Sequence, residues 1–206
     1  GLDLWVDCSD LFHDALSMNA DILSGTPLER AVLWSVATTS NRLGYLQLTG
    51  SKTVKFKCDR VDKARIFPGS SIVFDEDVRG NIAKLKPETL YYADDHEKMK
   101  KGGETSHPLG DIFFLTRDRK LVLIDTTAQT YRQMTPKRKH MQQFADLWKN
   151  GKFDGLPCDD LMLVIINPLE LKERSRTAST CPQLQYVFGE EAVELLGGLA
   201  QCMAWY

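Results

Sequence analysis

Apolar positions along the chain change period several times, and each change predicts an element. Leu28, Val32, Leu33 and Val36 recur at helical spacing, which predicts an amphipathic helix over residues 27 to about 40. Thr26 suits its N-cap, Pro27 suits the first helical position, and Glu29 follows Thr26 by three, as a capping box requires. Upstream, Leu11, Ala15, Leu16 and Ile22 carry a weaker helical pattern over 10–23. Residues 45–48 and 54–58 then alternate apolar with polar, and 64–67 and 71–74 read as further short extended pieces. Gly50-Ser51 and Pro68-Gly69-Ser70 are the turn signals between them. Residues 75–103 are mixed, ending in a run of charges and glycines that reads as an exposed loop.

The centre of the chain is more sharply patterned. Residues 111–116 (Asp-Ile-Phe-Phe-Leu-Thr) and 121–125 (Leu-Val-Leu-Ile-Asp) are almost entirely apolar inside, the mark of strands covered on both faces. The charged turn between them is short enough for an antiparallel hairpin. Pro136 suits the first turn of a helix reaching about residue 150, with Met141, Phe144, Leu147 and Trp148 at helical spacing. Residues 161–166 form a third continuous apolar strand, stopped by Asn167-Pro168. A short strand over 184–188 and a helix over 190–205 follow, the latter with Val193, Leu196, Leu199 and Met203 on one face. Strand, helix, strand from 121 to 166 implies a right-handed crossover and parallel pairing. The expected fold is α/β, a mixed sheet flanked by helices, rather than a doubly wound nucleotide fold. Its organisation reads as one domain: a helical segment over 1–25, a core over 26–168 and a C-terminal strand and helix over 169–206.

Composition narrows the setting. With 206 residues, 43% hydrophobic and 26% charged, the chain can fill a core without metal or disulfide staples. A formal charge of −2 provides no global field toward nucleic acid or anionic membrane. Five dispersed cysteines, with no C-x-x-C pair, argue for reduced thiols and against a disulfide framework or a zinc finger. No apolar run approaches the roughly 20 residues that span a bilayer, so no membrane partner is expected. Gly1 and the abrupt Trp205-Tyr206 read as the ends of a piece of something longer.

Three acids stand at telling places: Glu29 on the first helix, Asp111 opening one central strand and Asp125 closing the next. Carboxylates at the ends of adjacent buried strands converge on one point of the sheet, where Mg²⁺ needs only one or two of them plus phosphate and water. Each acid also has a plainer reading. Asp at a strand end caps backbone amides, and the capping box alone explains Glu29. A second feature is basic bias: Arg132, Lys137, Arg138, Lys139, Lys149 and Lys152 stand against the single acid Asp146 over 132–152, with His140 interleaved. Arg132, Lys137, Arg138, Lys139 and His140 are the candidate nucleic-acid contacts, near a helix N-terminus that favours phosphate; a solvated basic face is the alternative. His107 precedes the Asp111 strand and is a further neighbour of the acids or a plain loop residue. Phosphate-loop, nucleophile-elbow and H-E-x-x-H motifs are absent.

The element order, with acids at these points, resembles the PD-(D/E)xK nuclease superfamily and implies a restriction-endonuclease-like fold. The resemblance places Glu29, Asp111 and Asp125 at its acidic positions, with Asp111 and Asp125 as metal ligands. It also exposes a departure: the last motif reads Asp125-Thr126-Thr127, so Thr127 stands where that family has lysine. A threonine hydroxyl does not act on water as an ammonium does. That family sometimes moves its lysine to the following helix, where Lys137 and Lys139 stand, and Lys139 is taken as the one whose loss should remove activity. Gln129 could contact a backbone phosphate or a water at the site.

Residues 121–127 with the basic helix after them, and Glu191-Ala-Val-Glu-Leu-Leu-Gly-Gly-Leu-Ala-Gln-Cys-Met-Ala-Trp205, resemble the C-terminal region of the trypanosome retrotransposon hot-spot (RHS) proteins, related to Crinkler-type effectors. That resemblance covers roughly 108–206. It implies a nuclear setting, transcription- or chromatin-associated work and an ATPase region elsewhere in a longer chain. The expected function is a degenerate nuclease-fold module that binds nucleic acid or a protein partner without cleaving, with Mg²⁺ as cofactor only if it is active. An active Mg²⁺-dependent nuclease with a relocated lysine, and a pure scaffold domain, are the alternatives.

Overall fold

The continuous apolar runs become the central strands of one mixed sheet. The computed structural model describes residues 26–49, 52–64, 76–93, 109–127, 134–167 and 183–196. Its elements are α1 (Thr26–Leu43), β1 (Tyr45–Thr49), β2 (Lys52–Lys55), β3 (Arg60–Ala64), α2 (Glu76–Ala83), β4 (Thr89–Ala93), β5 (Ile112–Leu115), β6 (Lys120–Thr126), α3 (Thr135–Lys149), β7 (Asp160–Asn167), β8 (Leu184–Phe188) and α4 (Glu190–Leu196). Strands β3 to β8 lie side by side in chain order, while β1 and β2 form a separate antiparallel pair. Among the described residues no helix is long and apolar enough to cross a membrane.

The pairing follows the patterns that predicted it. β5 and β6 are antiparallel with Ile112 opposite Ile124. Their turn is closed by the Thr116 and Lys120 amides, the first donating to the Lys120 carbonyl at 3.0 Å and the second to Thr116 Oγ1 at 2.8 Å. The chain then crosses through α3, and β7 pairs parallel to β6 from Lys120–Asp160 to Thr126–Ile166. β8 continues in parallel beyond β7. At the other edge β3 is parallel to β4, which is antiparallel to β5. The result is α/β with a mixed sheet flanked by helices.

Side chains that alternate along each strand separate two cores. Ile112, Phe114, Val122, Ile124, Val164 and Ile166 pack with Leu28, Val32 and Val36 of α1 and with Leu46, Leu48 and Val54 of the hairpin. The Phe56 and Phe114 rings stack there at 4.0 Å. Phe113, Leu115, Leu121, Leu123, Leu163 and Ile165 face the other way, onto Val78 and Ile82 of α2 and Met141 and Phe144 of α3. α1 ends where Gly44 takes φ +74, the left-handed conformation that glycine adopts most cheaply, and its amide donates to Ser40 O at 2.8 Å.

Several elements differ from the expectation. α2 and β4 lie in the stretch read as mixed. α2 is a short helix that contains Gly80, and β4 carries its apolar positions beside charged neighbours. The edge strand after the hairpin occupies 60–64, ahead of the expected 64–67. Residues 10–23, 65–67, 71–74 and 197–205 lie outside the described residues. Cys58 and Cys158 are buried.

Candidate functional site

The β5–β6 register brings Asp111 and Asp125 to one end of the sheet. The Asp111 amide donates to Ile124 O at 3.1 Å, placing its side chain beside the end of β6. Asp111 Oδ2 accepts from the Thr126 amide at 2.8 Å and the Thr126 hydroxyl at 3.1 Å. Asp125 is 3% exposed. Gly110 adopts φ +93, and a Cβ there would lie 3.0 Å from Asp125 Oδ1 and 3.0 Å from the Ile124 carbonyl. The glycine therefore makes room for the carboxylate. Asp125 Oδ2 is buried with no hydrogen-bond partner among the described residues, an expensive condition for a carboxylate oxygen.

α3 supplies the counter-charges. Pro136 sits in its first turn, where a missing amide hydrogen costs nothing. Met141, Phe144 and Ala145 are its buried residues, and Lys137 and His140 fall on the same stripe by helical spacing. Lys137 Nζ donates to Asp111 Oδ2 at 3.1 Å and lies 4.0 Å from Asp125 Oδ1. His140 Nδ1 is 3.5 Å from Asp125 Oδ2, an electrostatic approach rather than a formed hydrogen bond. Lys139 is off the stripe and exposed. The lysine that reaches the acids is Lys137, which corrects the choice of Lys139.

Burial by itself would raise the Asp125 carboxyl, but the Lys137 ammonium and His140 outweigh it and hold Asp125 below the usual carboxylate range. Burial likewise works against the Lys137 charge, yet Asp125, Asp111 and, more weakly, Glu29 hold its ammonium above the ordinary lysine range. Glu29, half-buried on α1, is thus electrically part of the group although it comes from the opposite layer. Among the described residues no three His, Cys, Asp or Glu side chains gather closely enough to cage a metal. Two carboxylates still suit Mg²⁺, which keeps most of its shell as water and phosphate oxygens. Asp111 and Asp125, brought together at one end of the sheet, are the residues that would hold such a cation.

Thr127 is buried, and its amide extends the β6–β7 ladder to Ile166 O at 2.9 Å. Arg138 is half-buried beside the exposed Lys139 at the start of α3. His107, Gln129 and Arg132 lie outside the described residues. A separate cleft of about 470 Å³, lined in part by Trp148, Phe153, Leu156 and Cys158, lies at the other end of α3. Burial pushes the Cys158 thiol up to about 11, so it is no nucleophile at neutral pH.

Compared with family models, curated proteins and solved structures, the chain matches none. Its site therefore rests on its own geometry. Sequence reasoning missed Thr126 as an Asp111 partner and Gly110 as the space-maker. The choice between Lys137 and Lys139 had a usable signal: only Lys137 stands four residues before Met141 and seven before Phe144, on the apolar stripe.

Proposed function

We propose that the chain is a metal-dependent nuclease-fold module acting on nucleic-acid phosphodiesters, with a restriction-endonuclease-like core in which Lys137 takes the place of the strand lysine missing at Thr127. The observation that carries this is the Lys137 ammonium 3.1 Å from Asp111 and 4.0 Å from Asp125. Asp111 and Asp125 would hold Mg²⁺, which when bound supplies Lewis acidity toward phosphate oxygens and a more acidic water. Lys137 then offsets charge building on the phosphate and orients a water beside the two acids. Thr126 fixes Asp111 by two hydrogen bonds, and Gly110 leaves Asp125 room to face the site. Arg138 and Lys139 at the start of α3 would provide basic groups for the strand's backbone.

A second reading is a module that binds nucleic acid or a protein partner without cleaving. It is favoured by the way the Lys137 ammonium is already engaged with Asp111 at 3.1 Å. The resemblance of residues 108–206 to RHS proteins supports a nuclear setting, chromatin- or transcription-associated work and an ATPase region in a longer chain under either reading.

Incubation of the chain with Mg²⁺ or Mn²⁺ and end-labelled DNA or RNA separates the two. The nuclease reading expects divalent-dependent cleavage that Asp125→Asn abolishes. Retention of labelled strands at low salt without cleavage supports the binding module, and neither binding nor cleavage leaves a scaffold role.

A further inference from the structure

The proposed metal site leaves one buried oxygen unaccounted for. Asp125 Oδ2 has no hydrogen-bond partner among the described residues, while Oδ1 has Lys137 and the Gly110 space on its side. The group facing Oδ2 is His140, whose Nδ1 stands 3.5 Å away. Its side chain is 17% exposed, and its ring meets the buried Phe144 edge-on at 5.5 Å. His140 lies one helical turn beyond Lys137, so one face of α3 addresses both oxygens of Asp125, each with a different side chain.

We infer that His140 is a positioning residue for Asp125, donating from Nδ1 to Oδ2 and thereby fixing the carboxylate for a divalent cation. A shift of about half an ångström brings the contact into hydrogen-bond range. The direction of the contact matters. A carboxylate shared between a cation and a neighbouring donor keeps its plane when Lys137 turns toward a phosphate, whereas a carboxylate held by Lys137 alone would lose its orientation. Partners behind a metal ligand commonly contribute in this way, by orienting the ligand rather than touching the metal. The inference rests on the reading of Asp111 and Asp125 as cation ligands.

The test is Mn²⁺ titration of the chain by calorimetry, in parallel with metal-free thermal melts, for wild type, His140→Ala, His140→Asn and Asp125→Asn. His140→Ala should weaken Mn²⁺ binding about 10- to 100-fold while still melting cooperatively without metal, at a lowered midpoint. His140→Asn, whose amide donates from a similar place, should recover most of that affinity. Wild-type affinity in His140→Ala, or no recovery in His140→Asn, overturns the positioning role alone. Absence of Mn²⁺ binding by wild type, or undiminished binding by Asp125→Asn, overturns the cation-site reading along with it.

Discussion

Both ends of the β6–β7 pair carry ion pairs, and the two ends differ in burial far more than in distance. At the start of the strands Arg119 Nε lies 2.7 Å from Asp159 Oδ2, with side chains 52% and 67% exposed, and Lys120 Nζ lies 3.0 Å from Asp160. At the far end Lys137 Nζ is a longer 3.1 Å from Asp111, with side chains 29% and 10% exposed, and Asp125 is more buried still. The shorter pair is the weaker one. Water screens the Arg119 end, where such contacts are worth about 0–1 kcal/mol. At the Lys137 end each charge has exchanged water for its neighbours, so removing one strands the others. Charges at strand ends are ordinarily solvated surface; these are buried because α3 closes over them.

The comparison can be broken most forcefully at Lys137. Lys137→Gln leaves two buried carboxylates facing each other and should cost about 3 kcal/mol in urea unfolding at neutral pH. Its pH dependence has a definite sign. Asp125, held low, stabilises the fold above the ordinary carboxylate range and loses that contribution only as pH falls through its depressed value. Lys137, held high, stabilises below the ordinary lysine range and loses its contribution as pH rises through its raised value. The difference between wild type and Lys137→Gln should therefore be fully present near neutral pH and shrink toward both the acid and the alkaline side.

Gly110→Ala comes next. It puts a Cβ 3.0 Å from Asp125 Oδ1 at a positive φ, and it should lower stability by about 1–2 kcal/mol. A melt equal to wild type would contradict both the close approach and the strain of the positive φ. Arg119→Ala should do least: under about 1 kcal/mol, and less at high salt. A loss as large as that of Lys137→Gln would erase the distinction between the two ends.

The same contrast explains what the sequence made legible. β5, β6 and β7 announce themselves because strands covered on both faces tolerate little except apolar residues, and the acids that end them stand out. β3 is harder to see because an edge strand such as Arg-Val-Asp-Lys-Ala keeps its charges toward water. α2 is short and holds Gly80, so its pattern is too brief to register. Thr127 stands where the resembled motif has lysine, but a gap in a linear motif says nothing about a side chain arriving from another element. Only the phase of α3 separates Lys137 from Lys139, and that phase becomes meaningful once the helix is known to lie over the acids.

We propose that Lys137, acting with Asp111 and Asp125, fills the place left at Thr127. Divalent-dependent cleavage of labelled DNA and RNA by folded wild type, Lys137→Gln and Lys139→Ala tests it most directly. Cleavage lost in Lys137→Gln and retained in Lys139→Ala is the predicted result. Cleavage that survives in Lys137→Gln, or no cleavage by wild type under any divalent ion, contradicts it.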